Sequence, residues 1–398
     1  MRMFDGAVPI NAQGMAMAAG ESLAAHRGRA RATTQGAELL DRIRERDLRG
    51  YGGALFSVAR KWQSALDAGG GGIVVANGAE SEPASAKDAS LLQLRPHLVL
   101  DGLTETARAT GSTEGVIWLH RGAVHSRVAV ERAILERRAA GIPDIPLRIA
   151  EGPARYLSGE SSAIVRALSG GPALPVTRAT PAAISGVLGR PTLVHNTETL
   201  ARVALAASGG DATASRLLTI TASSGQVVAD VDPERTMGSL VTELGGDAQA
   251  LLLGGYGGTW HRWHDVADQR LSDLEQVASA GIVIALPRWS CGLAATAQIL
   301  GYLADASARQ CGPCLFGLDE LADVMARVAA GRARRADADR LAKISAAVAG
   351  RGACHHPDGA LRMLGSALRV FADDLPAHRR RRVCARRHDQ QLPGCVAA

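Results

Sequence analysis

Between residues 73 and 150, short β-branched runs alternate with longer segments of helical periodicity, and this alternation restricts the fold more than any other feature of the chain. The runs are Ile73-Val74-Val75, then residues 116–119 and 147–150; residues 91–109 and 123–139 between them repeat apolar side chains at helical spacing. Strands joined by crossover helices run parallel, so the pattern predicts an α/β layer with a mainly parallel sheet. In such sheets ligands gather beyond the carboxyl ends of the strands. The polar loop from Asn77 to Asp88 and the glycine-bearing loop at Gly159 both leave predicted strands in that position.

The pattern changes on either side. Residues 1–36 show little periodicity and read as an irregular arm, followed by a helix over 37–46. From residue 217, short strands (217–221, 226–231, 251–253, 281–286) surround one helix near 240–244, which suits a small α+β module of ubiquitin-like character. After Pro287 the apolar spacing is helical over 294–306, 314–330, 336–348 and 359–371, as in a terminal helical bundle. The expected division is therefore an arm at 1–36, an α/β domain at 37–212, the small module at 213–287, a bundle at 288–376 and a basic tail at 377–398.

At 398 residues the chain has room for two or three domains, and 46% hydrophobic with 21% charged residues is a globular composition. Four Phe, four Tyr and five Trp are too few for single-strand nucleic-acid platforms. The most apolar stretch, 277–303, is broken by Pro287 and Arg288, so no membrane insertion is expected, and the first thirty residues lack a secretory apolar core. Six unevenly spaced cysteines do not make a disulfide framework, which fits a cytoplasmic chain. The positive charge collects in Arg379, Arg380, Arg381, Arg382, Arg386 and Arg387, a solvated terminus or a surface for nucleic acid, an acidic membrane or an acidic partner protein. Lysine is nearly purged, with 42 Arg against Lys61, Lys87 and Lys343, yet Lys61 and Lys87 both fall inside the motifs that follow. A compact ammonium is not interchangeable with a guanidinium.

Four segments carry chemistry. Gly50, Gly52 and Gly53, with Phe56 and Lys61-Trp62 downstream, allow backbone amides to approach an anion or a flat ring. Asn77, Glu80, Ser81 and Glu82 crowd the loop that leaves the first strand, and an Asn amide both donates and accepts, as a flavin edge requires. Tyr156, Gly159 and Glu160 form the third segment, and the run Pro191 to Leu200, with Asn196 and Thr199, the fourth. In order and spacing these four resemble the family of NADH-oxidising, flavin-binding subunits of respiratory complex I and its relatives in soluble hydrogenases and formate dehydrogenases. The resemblance runs from about residue 40 to 371.

That resemblance implies an FMN-binding, Rossmann-like parallel-sheet domain, a β-grasp (SLBB, ubiquitin-like) domain and a C-terminal bundle carrying a [4Fe–4S] cluster. NADH would reduce the FMN, and electrons would leave through the cluster to other electron-transfer subunits. Gly50, Gly52, Gly53, Lys61, Asn77, Glu80, Ser81, Glu82, Tyr156, Gly159, Glu160, Asn196 and Thr199 would line the flavin pocket, and Phe56 would face the nicotinamide. Cys311, Cys314 and Cys354 would bind the cluster.

The departures from the family pattern are equally specific. Ala79 replaces an acidic residue, Ser161-Ser162 replaces a second carboxylate, and Ala308 stands at the first cluster cysteine. Ser64 and Pro181, the latter in the segment Arg178 to Ala182, stand where the family places aromatics against the adenine of NADH. Each lost stack is worth about 1–3 kcal/mol by analogy with base stacking. The flavin fingerprint is therefore stronger than the NADH fingerprint, and a rewired relative exchanging electrons with a ferredoxin-like partner, or a scaffold, is the second reading. For the cysteines, Cys311-Gly312-Pro313-Cys314 also has thioredoxin spacing, although both flanks look helical. Together with Cys354 and His355 or His356 the same thiols match a Cys₃His zinc site, and packed thiols are the structural alternative. Cys291 reads as a small core residue near a helix start. Cys384 and Cys395 lie in the tail without an assigned role.

Overall fold

The computed structural model describes residues 3–11, 15–29, 34, 36–177, 180–274, 280–378, 382–386 and 392–395. The N-terminal arm is more ordered than its composition suggests. It contributes β1 (Val8–Ile10) and α1 (Leu23–Arg29) before α2 (Gly36–Glu45) and α3 (Val58–Asp67) begin the α/β layer. Periodicity over three residues is invisible in sequence, and β1 is held by pairing antiparallel with a strand more than 200 residues away. Arg178, Ala179, Arg379, Arg380, Arg381 and Arg387 fall outside the described residues.

The layer itself follows the predicted alternation. β2 (Ile73–Asn77) leads through α4 (Lys87–Leu94) and α5 (Pro96–Thr110) to β3 (Glu114–His120). The single helical segment expected over 91–109 is two helices, because Pro96 has no amide hydrogen to donate and restricts Arg95 to φ −131°, ψ 46°. α6 (Val124–Ala139), β4 (Leu147–Gly152), α7 (Ser161–Leu168), β5 (Thr192–Asn196) and α8 (Thr197–Ala207) complete the unit. The four strands form one parallel sheet in the order β4-β3-β2-β5. Every residue of α8 is buried, and it crosses α5 so closely that a Cβ on Gly102 would lie 1.8 Å from the Leu200 carbonyl oxygen.

A second sheet takes the rest of the strands. β6 (Arg216–Ala222), β7 (Gly225–Val231), β8 (Ala248–Leu253), β9 (Thr259–Arg262) and β10 (Ile282–Pro287) join β1 in the order β1-β7-β6-β10-β8-β9, all antiparallel except the central pair β6 and β10. Side chains alternate between its faces as strand geometry demands. Leu251, Leu253, Val283 and Ala285 pack on α9 (Met237–Glu243), while Ala250, Leu252, Ile282, Ile284 and Leu286 pack on the C-terminal helices. Those helices are α10 (Gly292–Asp305), α11 (Asp319–Ala329), α12 (Asp337–Val348) and α13 (His356–Val370), with a π-helical turn, Pro313–Leu318, running into α11. Among the described residues, no helix is long and apolar enough to cross a membrane.

Candidate functional site

A cavity of about 570 Å³ opens where β2 and β5 end. From β2 the chain builds β3 and β4 on one side and then adds β5 on the other, so the crossovers reverse between β2 and β5. Doubly wound sheets hold ligands at this switch point. Asn77 and Asn196, the last residues of the two strands, are partners across the ladder and both line the cavity.

Each asparagine does local work that fixes its position. Asn77 Nδ2 donates to the Gly159 carbonyl at 2.9 Å, tying β2 to the turn before α7. Asn196 caps α8, its Oδ1 accepting from the Glu198 amide at 2.9 Å, and its Nδ2 donates to Asp88 at 2.6 Å. Glu160 likewise caps α7, accepting from the amides of Ser162 and Ala163. The Tyr51 amide donates to Thr199 Oγ1 at 2.9 Å, which holds the glycine loop of Gly52 and Gly53 over the crevice.

Beneath the floor lies a buried chain of charges. Lys87 Nζ stands 3.0 Å from both Asp88 and Glu198, and Glu198 is paired at 2.7 Å with Arg202, whose guanidinium lies 4.2 Å from the centre of the Tyr51 ring. These carboxylates hold Lys87 and Arg202 above their ordinary pKa values against the cost of burial. Two carboxyls on the wall behave oppositely. Burial, then the neighbouring Asp88, pushes Glu80 up to about 7, although it accepts from Ser85, Asp88 and Ala89. Burial also pushes Glu82 up to about 7. One Glu82 oxygen accepts from Tyr156 at 2.9 Å and from the Tyr256 amide at 3.2 Å, while Oε1 is buried with no hydrogen bond among the described residues.

The far wall comes from the second sheet and the helices. Gly254, Gly257 and Gly258, in the loop between β8 and β9, line it together with Arg362 of α13, which donates to the Gly257 carbonyl. Three of the four tyrosines meet behind Glu82, with ring centres 5.8 Å apart for Tyr156 and Tyr302 and 5.5 Å for Tyr256 and Tyr302. Residues of the tail back this shell, since Tyr256 donates to the Pro393 carbonyl and Cys395 lies against its hydroxyl.

A second cavity, of about 560 Å³, shares Gly52, Tyr156, Glu160, Gly257 and Arg362 with the first and extends to Pro181, Cys354, His355 and His356. Cys314 is buried, and its thiol is pushed up to about 12, by burial first and then by the adjacent Cys311 and Cys354. Cys354 is raised too, chiefly by burial. These three thiols share one neighbourhood, at the mouth of the π-helical turn and beside the second cavity. His356 is held by its Nε2, 2.8 Å from the Leu303 carbonyl oxygen.

Two family models match this architecture. The Nuo51 FMN-binding domain covers residues 43–205, the whole parallel sheet with its glycine loop, and the NADH-ubiquinone oxidoreductase-F iron-sulfur binding region covers residues 294–378. The chain belongs to the family of flavin-binding complex I subunits. The NADH-quinone oxidoreductase F 2 subunit of Rhizobium meliloti is 27% identical over 383 residues, covering 87% of this chain and 90% of that one. The HndC subunit of the NADP-reducing hydrogenase of Solidesulfovibrio fructosivorans is 25% identical, covering 86% and 76%. The crystal structure of an NAD⁺-reducing [NiFe]-hydrogenase in its H₂-reduced state superposes with a TM-score of 0.74 at 26% identity. That match covers 86% of this chain and 62% of the hydrogenase chain.

Against the family pattern, the structure brings Gly52, Gly53, Asn77, Glu80, Ser81, Glu82, Tyr156, Gly159, Glu160 and Asn196 to one cavity. Four other residues of the pattern stand elsewhere. Gly50 and Phe56 close the base of the glycine loop through a 2.9 Å backbone hydrogen bond, and the Phe56 ring is exposed. Thr199 acts from behind through Tyr51. Lys61 donates to the Val194 carbonyl at 2.5 Å, while Trp62 donates to His195 at 3.0 Å. The Lys-Trp pair thus grips β5 from outside the cavity, and burial of the ammonium lowers it to about 8. Lys87 and Asp88, which end the Asn77 loop, line the cavity as well, and the lining residues that motif reading left out include Arg362 and the Gly254–Gly258 loop. The glycine run was visible in sequence; Arg362 sits on an ordinary amphipathic helix and carried no signal.

Proposed function

We propose that the chain binds FMN in the β2–β5 crevice and serves as an FMN-dependent NADH dehydrogenase module, delivering electrons to an iron–sulfur cluster and then to partner electron-transfer subunits. The observation that carries this reading is the switch-point cavity itself, whose size, amide pair and unsatisfied Glu82 oxygen fit a flat polar heterocycle. Bound there, a flavin supplies hydride acceptance and one-electron release. The residues supply placement. Asn77 and Asn196 would address the ring edge or ribityl chain, the glycine loops would face its flat surface, and Lys87 and Arg362 would offset its phosphate. The six-stranded sheet would be the β-grasp module and the last four helices the cluster-bearing bundle, divided near residues 212 and 287. Anaerobic purification, FMN quantitation and NADH addition, with dithionite as the control, test the reading. Bleaching of the flavin by NADH supports it, and a chain that retains no FMN overturns it.

A second reading rests on the wall of the neighbouring cavity, where Thr180, Pro181 and Ala182 offer a nucleotide base no aromatic ring. On that reading the electron donor is a ferredoxin-like protein, and dithionite bleaches the flavin while NADH does not.

Glu82 gives the flavin site a pH dependence. Its carboxyl stays protonated to about 7 in the folded chain, above the ordinary 4.5, so ionisation above pH 7 adds negative charge beside an anionic ligand. FMN affinity is expected to fall, on the order of tenfold, between pH 6 and 8, and Glu82→Gln is expected to make the profile shallower in a fluorescence titration, Glu80 supplying what remains. Folding stability moves in the same sense. Because the native state keeps the extra proton, the contribution of Glu82 to stability declines as pH rises from about 4.5 to 7 and levels off above.

A cubane takes four protein ligands. Cys311, Cys314 and Cys354 would supply three thiolates, leaving the fourth position to a non-cysteine ligand. Ala308→Cys is expected to raise iron and acid-labile sulfide per chain and to lengthen the lifetime of the cluster's absorbance in air. An unchanged iron content would place the missing ligand elsewhere.

A further inference from the structure

The tail cysteine without an assigned role, Cys384, folds back onto the start of α10. There it meets Cys291, the N-cap of that helix, and His378, the last residue of the 3₁₀ turn Ala372–His378. The ligand-capable atoms of the three lie within 4.8 Å of one another. Cys291 and His378 are almost completely buried. Among the described residues this is the one group of three metal-ligating side chains so tightly drawn together.

The second layer orients it. His378 Nδ1 stands 2.9 Å from the Ala329 carbonyl at the end of α11, which makes Nδ1–H the donor and turns the Nε2 lone pair inward. Facing that lone pair are Cys291 Sγ at 3.5 Å and the Cys384 amide at 3.3 Å. The Ala294 amide also points at Cys291 Sγ, at 3.4 Å, the kind of donor that stabilises a thiolate.

We propose that Cys291, His378 and Cys384 bind a single zinc ion that clasps the C-terminal tail onto the helical domain, separate from the Cys311, Cys314 and Cys354 site. Zinc holds sulfur at about 2.3 Å and imidazole nitrogen at about 2.0–2.1 Å in a tetrahedron, which puts ligand atoms roughly 3.5 Å apart. A 4.8 Å group closes to that with small side-chain movements, and it is too compact to enclose a four-iron cubane. Two sulfurs and one nitrogen suit zinc, with water as the fourth ligand on the open side of the half-buried Cys384. Binding displaces up to two thiol protons into solvent and involves no electron transfer, so affinity rises with pH. The clasp joins the helix-start, α11 and tail segments just upstream of Leu392–Cys395, where the chain backs the tyrosine shell of the first cavity.

The test uses the full-length protein with whatever flavin and iron it carries. Zinc per chain is counted by elemental mass spectrometry after removal of loosely held metal, and the zinc coordination shell is read by X-ray absorption. The expected result is one tightly held zinc with two sulfurs and two nitrogen or oxygen neighbours. Cys384→Ser and His378→Gln should each weaken zinc binding by at least about tenfold, whereas Cys354→Ser should leave it unchanged. Absence of zinc uptake by the wild-type chain overturns the proposal without any variant. So does a shell of three sulfurs, zinc that disappears with Cys354→Ser, or a Cys291–Cys384 disulfide in peptide maps of the anaerobically purified protein.

Discussion

Glu198→Ala is expected to destabilise the fold by about 3–5 kcal/mol, the cost of removing one partner from a buried ion pair. Glu198 is 1% exposed and faces two cations, Lys87 at 3.0 Å and Arg202 at 2.7 Å. Alanine would leave Lys87 with Asp88 and the Asn196 side-chain oxygen, and Arg202 with a backbone carbonyl, that of Ala212, and the Tyr51 ring. Equilibrium urea unfolding would record the loss as a lower midpoint with an unchanged slope. A double change, Lys87→Met with Glu198→Leu, should not recover it, because Asp88 and Arg202 then lose their counter-ions in turn and stay buried. A loss below about 1 kcal/mol for the single variant would mean that water reaches the pair and screens it as on a surface. The site requires this cost because Lys87 is at once the floor of the cavity and the centre of the charge chain.

Gly159→Val is expected to cost the chain its flavin while leaving the fold in place. Gly159 lines the cavity, and its carbonyl accepts from Asn77. A Cβ there would stand 2.5 Å from Ser81 Oγ and 2.9 Å from the Ala79 carbonyl oxygen. The two loops must therefore separate, at an overpacking cost of about 1–3 kcal/mol. Both loops are cavity wall, so the displacement should appear as about one to two decades of FMN affinity. Fluorescence titration of the apoprotein measures it, and circular dichroism checks that the sheet persists. If FMN binds the valine variant with wild-type affinity, the flavin does not sit between these loops.

The two predictions separate jobs that the sequence motifs merge. Asn196, Glu198 and Thr199 belong to one ten-residue run, yet only Asn196 reaches the cavity. Glu198 is a counter-ion beneath it, and Thr199 a backbone anchor behind it. The Lys61-Trp62 pair makes the same point, since both side chains fasten β5 and neither lines the cavity. Keeping such a motif preserves a strand's position as much as a ligand's contacts.

By itself the sequence determined the parallel layer, because a β-branched run followed by a helical repeat admits few other arrangements, and it marked the loops at Asn77 and Gly159 as the ligand side of that layer. It also determined the break before α10, through Pro287. The tertiary structure alone decided what lies across from those loops. β1 exists because β7 offers it an edge, and the Gly254–Gly258 loop and Arg362 become cavity wall because two sheets and a helix meet there. The partnership of Cys291 with His378 and Cys384 spans more than ninety residues and follows no spacing rule. Local periodicity encodes which elements form, since it is set by neighbouring side chains. Which residues share a site is set by long-range packing, and single positions such as Arg362 or Cys384 carry no trace of it in the local sequence.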